Sequence, residues 1–566
     1  MSDSQRFPVV LFWHMHQPNY RDALTGQYLL PWTYLHAIKD YTDMAAHLEA
    51  NPGARAVVNF TPVLIEQLQE LAGRVGQHLL SGTPLPDPVL SVLAPTPLPQ
   101  ERGVRLALLQ ACLRADRRHL IGRYPAYQQL AALAASMGTP EHVAYASDQL
   151  LRDLGVWFHI AWLGETIKRS DPRVATLIGR ENEFRPEHCR MLLELIGELL
   201  SGVLPRYRQL AEAGRVELAV SPYGHPILPL LYDFSVARES QPNTPLPQSA
   251  DYPGGALRAR WHMDEAVRVF ESAFGVKPLG CWPSEGAISA QALQLIDDCG
   301  FNWIATSANV LRGCLAASGT QQGPIEAAVN RVYQRPNQQL RCFFRHDELS
   351  DLIGFNYSTW HGDDAVRHLV GELERVAETA QSHGEQLALV ALDGENAWEH
   401  YPFNGYYFLN GLYAALADHP RLELTTLSDF LAERPSTLPL SQVVSGSWVH
   451  GTLSTWIGDR DKNTGWDLLV EAKQAADSAL ASGRFNAAQR ARIERQLAQC
   501  ESSDWFWWFG DYNPAESVRD FDQLYRHQLA SLYKLLELPL PPRLSRTISS
   551  GRGSPEGGGV MRRANE

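Results

Sequence analysis

The chain has little that would tie it to a membrane, a disulfide frame or an acidic partner. No apolar run approaches the roughly eighteen residues that a membrane span requires. The opening Met-Ser-Asp-Ser-Gln-Arg-Phe-Pro has neither a long apolar h-region nor a cleavage site. The seven cysteines (Cys112, Cys189, Cys281, Cys299, Cys314, Cys342 and Cys500) are scattered, odd in number and include no CxxC pair. That pattern excludes a disulfide frame or a zinc knuckle and fits a reducing compartment. Positive charge is in deficit: the formal net charge is −13. A general nucleic-acid or anionic-membrane binder needs a basic surface to displace counterions, so neither partner is expected. There is no internal repeat. The expected location is the cytoplasm, and a neutral polymer is compatible with the charge.

Aromatic residues are plentiful, with 15 Trp and 20 Tyr. Flat aromatic faces stack on the apolar C–H faces of sugars, while the indole N–H and phenol O–H supply a polar handle. A large aromatic core would account for the same composition. The 566 residues allow one large barrel with a smaller domain, or three ordinary domains.

Short apolar runs alternate with helical periodicity, which is an α/β pattern. Strands are expected at Val9–Trp13, Ala56–Phe60, Val216–Val220, Leu279–Trp282, Phe301–Ala305 and Gln386–Leu392. Helical patterns dominate from about Arg105 to Ala213, and long loops are expected at Thr83–Gln100 and Glu239–Gly255. Four of the strands end in polar or reactive residues. In parallel α/β barrels the active site is assembled from the C-terminal ends of several strands. Residues 1–435 are therefore read as a barrel-like catalytic domain with a helical insertion. Residues 436–544, with long helical patterns over Trp466–Ser482, Asn486–Cys500 and Glu516–Leu536, are read as an α-helical domain, and 545–566 as a disordered tail.

Three places carry possible chemistry. Glu285 follows a strand in Gly280-Cys281-Trp282-Pro283-Ser284-Glu285-Gly286, a setting that equally suits a turn glutamate at a helix N-terminus. Asp393 follows an apolar run in Leu392-Asp393-Gly394-Glu395-Asn396. Asp-Gly is common turn chemistry, yet a carboxyl emerging from a buried strand is desolvated and its pKa rises toward a proton donor's. Glu395 competes for that role, because residues two apart on extended backbone face the same way. A pair of carboxylates suits glycoside cleavage, in which one protonates the leaving oxygen and the other attacks the anomeric carbon or activates water. His14 and His16 alternate after the first strand and share a face. They suit hydrogen bonds to sugar hydroxyls, with a metal site as the competitor and Glu217 or His225 as further ligands.

These segments occur in one order along the chain: His14-Met15-His16-Gln17-Pro18, Glu217 running into Ser221-Pro222-Tyr223, the Glu285 segment and the Asp393 segment. Together they resemble glycoside hydrolase family 57, most closely its amylopullulanase-type catalytic domains. Asn59-Phe60-Thr61-Pro62, Leu349 to Phe355, Gly446-Ser447-Trp448, Asn463 to Trp466 and Ser503 to Trp508 extend the resemblance over Val9–Leu536. It implies an incomplete (β/α)7 barrel followed by a helical domain, and a retaining mechanism on α-glucans without metal or cofactor. By the same resemblance Glu285 is the nucleophile and Asp393 the general acid and base, with Glu395 orienting Asp393 or a hydroxyl. His14 and His16 would line the subsite of the reacting glucose, Trp32, Trp282, Trp448 and Trp456 would stack on sugars, and Glu217 would bond a neighbour or a hydroxyl. One departure stands out: the family's nucleophile motif often reads Trp-Ala-Pro-Glu, whereas here Pro283 precedes Ser284-Glu285.

The expected activity is an α-amylase or amylopullulanase-type hydrolysis of an α-glucan polymer or maltooligosaccharide. A branching enzyme or 4-α-glucanotransferase would use the same two carboxylates. A glucan-binding protein without catalysis, or a metal hydrolase built on His14 and His16, are the readings from other classes.

Overall fold

The structure is a computed structural model that describes residues 6–320, 325–383 and 386–553. Its sheet is built from ten strands: β1 (Phe7–Met15), β2 (Ala56–Phe60), β3 (Val216–Val220), β4 (Gly280–Cys281), β5 (Trp303–Ser307), β6 (Tyr333–Gln334), β7 (Arg341–Arg345), β8 (Ala388–Asp393), β9 (Leu422–Leu424) and β10 (Leu438–Pro439). Strands β7-β5-β4-β3-β2-β1-β8 lie side by side and pair in parallel throughout.

The ends of this run, β7 and β8, come together without a ladder. His346 N donates to Leu389 O at 2.7 Å, and the Arg345 Nη1 donates to Ala391 O at 3.0 Å. The result is a (β/α)7 barrel closed by loop and side-chain bonds on one side. Small strands extend it: β6 runs antiparallel to β7, β10 parallel to β6, and β9 parallel to β1.

β1 reads Phe-Pro-Val-Val-Leu-Phe-Trp-His-Met and is buried along its whole length. A strand covered on both faces needs such a continuous apolar run. Its alternate residues serve two cores. Val9, Leu11, Trp13 and Met15 face the outer helices, while Val10 and Phe12 join Val57, Ala219, Trp282, Trp303 and Phe343 inside the barrel. The next inward position is His14. Leu427 and Phe430, from the short helix Leu427–Glu433, belong to this inner core as well.

Between β2 and β3 the chain runs through a set of helices ending in the long Pro186–Glu212 helix, which is the expected helical insertion. The C-terminal region is helical, with Arg460–Ala481, Ala487–Cys500 and Ala515–Leu535 around the single turn Asp504–Trp508. Trp466 stacks on Phe506 at 4.3 Å within its interior. The barrel's contacts continue beyond residue 435, through β10 and through an isolated bridge between Ile288 and Gly446.

One expectation needs correcting here, and one barrel strand lies outside those expected. The tail expected to be disordered from 545 is packed as far as 553: Ile548 N and Ser549 N both donate to Asp522 Oδ1, and Ser549 is buried. Residues 554–566 lie outside the described residues. The strand β7 was not anticipated, because Arg341 and Arg345 bracket a run of only three apolar residues. Among the described residues no helix is long and apolar enough to cross a membrane.

Candidate active site

A cavity of about 490 Å³ opens at the C-terminal end of the barrel strands. His14 and His16 from β1 and its loop, Glu285 after β4, Arg345 at the end of β7, Asp393 and Glu395 at β8, and Trp448, Asp504, Trp507 and Trp508 further on all line it. The strand ends deliver these groups together because every barrel strand runs the same way.

Glu285 sits in a left-handed backbone conformation, φ 59° and ψ 22°. That region is uncommon for a residue with a Cβ and is found where a side chain must be aimed. Here the turn between Pro283 and Gly286 sends the carboxylate into the cavity. The Trp448 indole Nε1 donates to its Oε2 at 2.9 Å, and Trp448 N donates to the Glu285 carbonyl at 3.0 Å. The Ser503 hydroxyl donates to Oε1 at 3.4 Å. Burial, and then the negative charges of Asp393 and Asp504, push the Glu285 carboxyl up to about 8, against the pull of the Trp448 and Ser503 donors.

Asp393 ends β8 and accepts from Asn396 Nδ2 at 2.8 Å. Burial raises its pKa, while the Asn396 bond and the charges of His16 and Arg345 work against the rise. Glu395 lies behind it, buried. Its Oε1 accepts from His16 N at 3.0 Å, from Gln17 Nε2 at 3.3 Å and from Tyr41 OH at 3.0 Å. It thus ties the loop after β8 to the loop after β1. Burial and the Asp393 charge raise its pKa well above the usual range.

His14 and His16 line the cavity, and a third imidazole, His225, is buried beside them. His225, at φ 56°, stacks on His16 with centroids 3.9 Å apart, and His14 lies 5.2 Å from His225. His14 Nδ1 lies 2.6 Å from Asn59 Oδ1, which leaves Nε2 as an acceptor on the cavity side. Burial and the neighbouring His16 lower its pKa to about 3, so it is neutral at physiological pH. His16 is held at both nitrogens, by Thr61 Oγ1 at 3.0 Å and by Asp504 Oδ1 at 2.9 Å. His225 Nδ1 lies 2.9 Å from the Ser503 hydroxyl. The donor atoms of His16, His225 and Asp504 lie within 4.8 Å of one another, a spacing that an ion could bridge. His16 and Asp504 already satisfy each other by hydrogen bonding, and the two-carboxylate chemistry asks nothing of a metal here.

Not every residue singled out in the sequence reaches this cavity. Trp32 does, and Arg114 lies over its ring at 5.1 Å. Trp448 does as well, with the Arg345 guanidinium 5.0 Å above it. Trp282 is fully buried beneath the site, packed on Phe12 at 5.0 Å and Trp448 at 5.2 Å, so it supports Trp448 and presents no face to a sugar. Trp456 is fully buried in the helical region against Trp507, 6.1 Å away.

Glu217 points into the barrel two positions below the level of Ala219, the register partner of Asn59. There it accepts from Trp303 Nε1 at 2.7 Å and from Ser428 N at 2.9 Å, which makes it an internal tie across the barrel. The Glu239–Gly255 and Trp448–Lys462 loops pack on each other over Ser240–Pro245 and Ser454–Asp459. Only Trp448 and Val449 of the two reach the cavity.

Asn59, Arg345 and Trp162 were missed in the sequence as site residues. A polar residue at a strand end was the available signal for the first two.

The model of glycosyl hydrolase family 57 matches residues 10–440. The chain belongs to that family. It is accordingly an enzyme of glycoside chemistry, and the family match reaches every barrel strand. Solved structures, two of them family 57 branching enzymes, share the fold across nearly the full length. A branching enzyme from Thermococcus kodakaraensis, crystallised with glucose, is 15% identical with a TM-score of 0.59, covering 94% of this chain and 90% of its own. A branching enzyme from Pyrococcus horikoshii is 16% identical with a TM-score of 0.57, covering 96% and 97%. An α-amylase from Thermotoga maritima is 13% identical with a TM-score of 0.56, covering 94% and 93%. Among curated protein sequences there is no match.

Proposed function

We propose that this family 57 enzyme is a retaining α-glucan hydrolase that acts through a covalent glucosyl-enzyme on Glu285. The observation that carries the reading is the convergence of two half-buried carboxylates, Glu285 and Asp393, from separate strand ends onto one cavity. Asp393 lies close enough that its charge raises the proton affinity of Glu285. The solved enzymes that share the fold include branching enzymes of family 57 and an α-amylase, which supports a glucan as the substrate class.

In the first step a Glu285 carboxylate oxygen forms a bond to the anomeric carbon while the glycosidic C–O bond breaks. Asp393 gives its proton to the departing oxygen. The positive charge that develops on the sugar ring favours ionised Glu285, and the Trp448 and Ser503 donors hold that carboxylate in place. In the second step Asp393, now ionised, takes a proton from water. The water oxygen bonds to the anomeric carbon, and the ester to Glu285 breaks. Neutral His14 offers an acceptor to a hydroxyl of the bound glucose, and Trp32 and Trp448 line the cavity that holds it.

A glucan transferase is the second reading. Trp507, Trp508 and Phe521 line the same cavity and could seat an acceptor sugar where water must otherwise enter. A paired assay on amylose, glycogen and pullulan separates the two. Reducing ends that rise with turnover identify the hydrolase, while altered chain length or branching without new ends identifies the transferase. Glu285→Gln and Asp393→Asn should each lower the rate by several orders of magnitude. Full activity in both variants would sink the two-carboxylate assignment. An intracellular glucan store is the natural polymer we propose, consistent with the acidic charge and seven unpaired cysteines.

A further inference from the structure

Glu501 is completely buried and does not line the cavity, yet it has more polar partners than either candidate catalytic carboxylate. Its Oε1 accepts from Tyr252 OH at 2.5 Å and from Arg258 Nε at 2.8 Å. Its Oε2 accepts from Arg258 Nη2 at 2.8 Å and lies 2.7 Å from His262 Nε2. Burial by itself would raise its pKa, but the Arg258 charge and the His262 bond hold it low, at about 2. A buried ion pair of this kind is weak evidence for stability, because the desolvation cost offsets the attraction, so its value lies in what it fixes.

It fixes two segments at once. On its own segment, Glu501 precedes Ser502, Ser503 and Asp504. On the barrel side, His262 Nδ1 accepts from Gly224 N at 3.1 Å, and the His262 carbonyl accepts from Tyr223 N at 3.0 Å. Because Nδ1 is the acceptor, the ring proton sits on Nε2 and is donated to Glu501. The loop so held presents His225 next. A Cβ on Gly224 would meet Ala498 O at 2.5 Å, so the two segments approach as closely there as backbone permits.

The two segments then meet over Glu285. Ser503 N donates to the His225 carbonyl at 2.9 Å, and the Ser503 hydroxyl lies between His225 Nδ1 at 2.9 Å and Glu285 Oε1 at 3.4 Å. A hydroxyl has one proton, so accepting from His225 Nδ1–H frees it to donate to Glu285.

We infer that Glu501, with Tyr252, Arg258 and His262, is a positioning cluster that sets the Ser503 hydroxyl on Oε1 of Glu285 and so orients the nucleophile. The inference rests on the proposed role of Glu285. It makes the C-terminal helical region part of the reaction centre, acting from behind the wall that the substrate touches.

The test is a double-mutant cycle on kcat and KM with a maltooligosaccharide, using Ser503→Ala, Glu501→Gln and their combination, with Glu285→Gln as control. Ser503→Ala should lower kcat by roughly 10- to 100-fold with KM within about twofold, as for loss of a donor that matters in the transition state. Glu501→Gln should lower kcat by about tenfold. The double variant should be no more than about threefold slower than Ser503→Ala alone, because both act through one hydroxyl. Effects that multiply, or an unchanged kcat in a folded Glu501→Gln, overturn the inference.

If Glu501→Gln does not fold, Tyr252→Phe takes its place in the cycle. It removes one donor and keeps the Arg258 and His262 contacts, and it faces the same expected and overturning results on a smaller, several-fold scale. An active Glu285→Gln control would instead overturn the nucleophile assignment itself.

Discussion

His14 on β1 and Asp393 on β8 are register partners in adjacent parallel strands. Asn59 on β2 is the register partner of His14 on its other side. A sugar hydroxyl acceptor and a candidate acid are therefore set by the same ladder, at one level of the barrel. Replacing His14 by Asn should keep the fold, because Asn59 and Ser221 still have each other at 3.0 Å. It should lower kcat/KM by roughly 10- to 1,000-fold, the cost of a polar contact realised in the transition state. A His14→Asn enzyme within twofold of wild type would remove His14 from the reacting subsite.

Trp448 is the second group on Glu285, and its indole N–H is the shorter of the two side-chain contacts. Trp448→Phe keeps a ring over Trp282 and under Arg345 while deleting that donor. We expect kcat to fall by about 10- to 100-fold with little change in melting temperature. Steady-state kinetics beside thermal melting checks this. A large loss of stability with normal kcat would make Trp448 a packing residue only.

The strained, largely desolvated Glu285 should cost stability in a pH-dependent way. Its pKa is about 8 in the folded chain against an ordinary 4.5, so between those values the folded state binds more protons than the unfolded one. Stability then falls as pH rises through that window, by up to about 1.4 kcal/mol for each unit of difference. Glu285→Gln removes the effect. It should melt higher than wild type at pH 8 and nearly equal to it at pH 4.5. Equal differences at both values would show that the carboxyl is not perturbed.

Much of this site was legible in the sequence, and the reasons differ by residue. β2 and β3 were bounded correctly because Ala56–Phe60 and Val216–Val220 are apolar runs flanked by turn chemistry. Glu285, Asp393, His14 and His16 follow strands, and a parallel barrel brings all strand ends to one face, so order along the chain sufficed to collect them. Burial depth was not legible. Trp282 and Trp456 have the composition of sugar platforms but no free face.

Glu217 belongs to a recognisable segment, yet it lies on the inward face of β3 too early in the strand to reach the mouth. Ser503 and Glu501 were beyond reach for another reason. Their partners are His225, Arg258 and His262, more than two hundred residues away, and nothing local marks that pairing.

Glu217 offers a check on that distinction. Glu217→Ala leaves the Ser428 N–H without its acceptor and the Trp303 N–H with only its longer, 3.3 Å contact to the Ser428 hydroxyl, at a cost of about 1–3 kcal/mol. The melting temperature should drop, while kcat and KM on maltooligosaccharide stay within about twofold of wild type. A rise in KM without loss of stability would return Glu217 to the substrate.

The coupling of the two carboxylates can be read directly. The Asp393 charge is, after burial, the largest influence raising Glu285. Asp393→Asn removes that charge and should lower the pH at which Glu285 ionises. The first chemical step isolates the effect when the leaving group needs no proton, as with an α-maltosyl fluoride. For wild type, fluoride release should fall off below about pH 8, as Glu285 becomes protonated. For Asp393→Asn the fall should move to lower pH, although polymer cleavage is nearly lost for want of an acid. The two groups titrate as a pair, so the shift between the profiles, more than either midpoint, carries the information. An acid limb at the same pH in both enzymes would mean that Asp393 does not reach Glu285 electrostatically, and the shared-centre reading would fall with it.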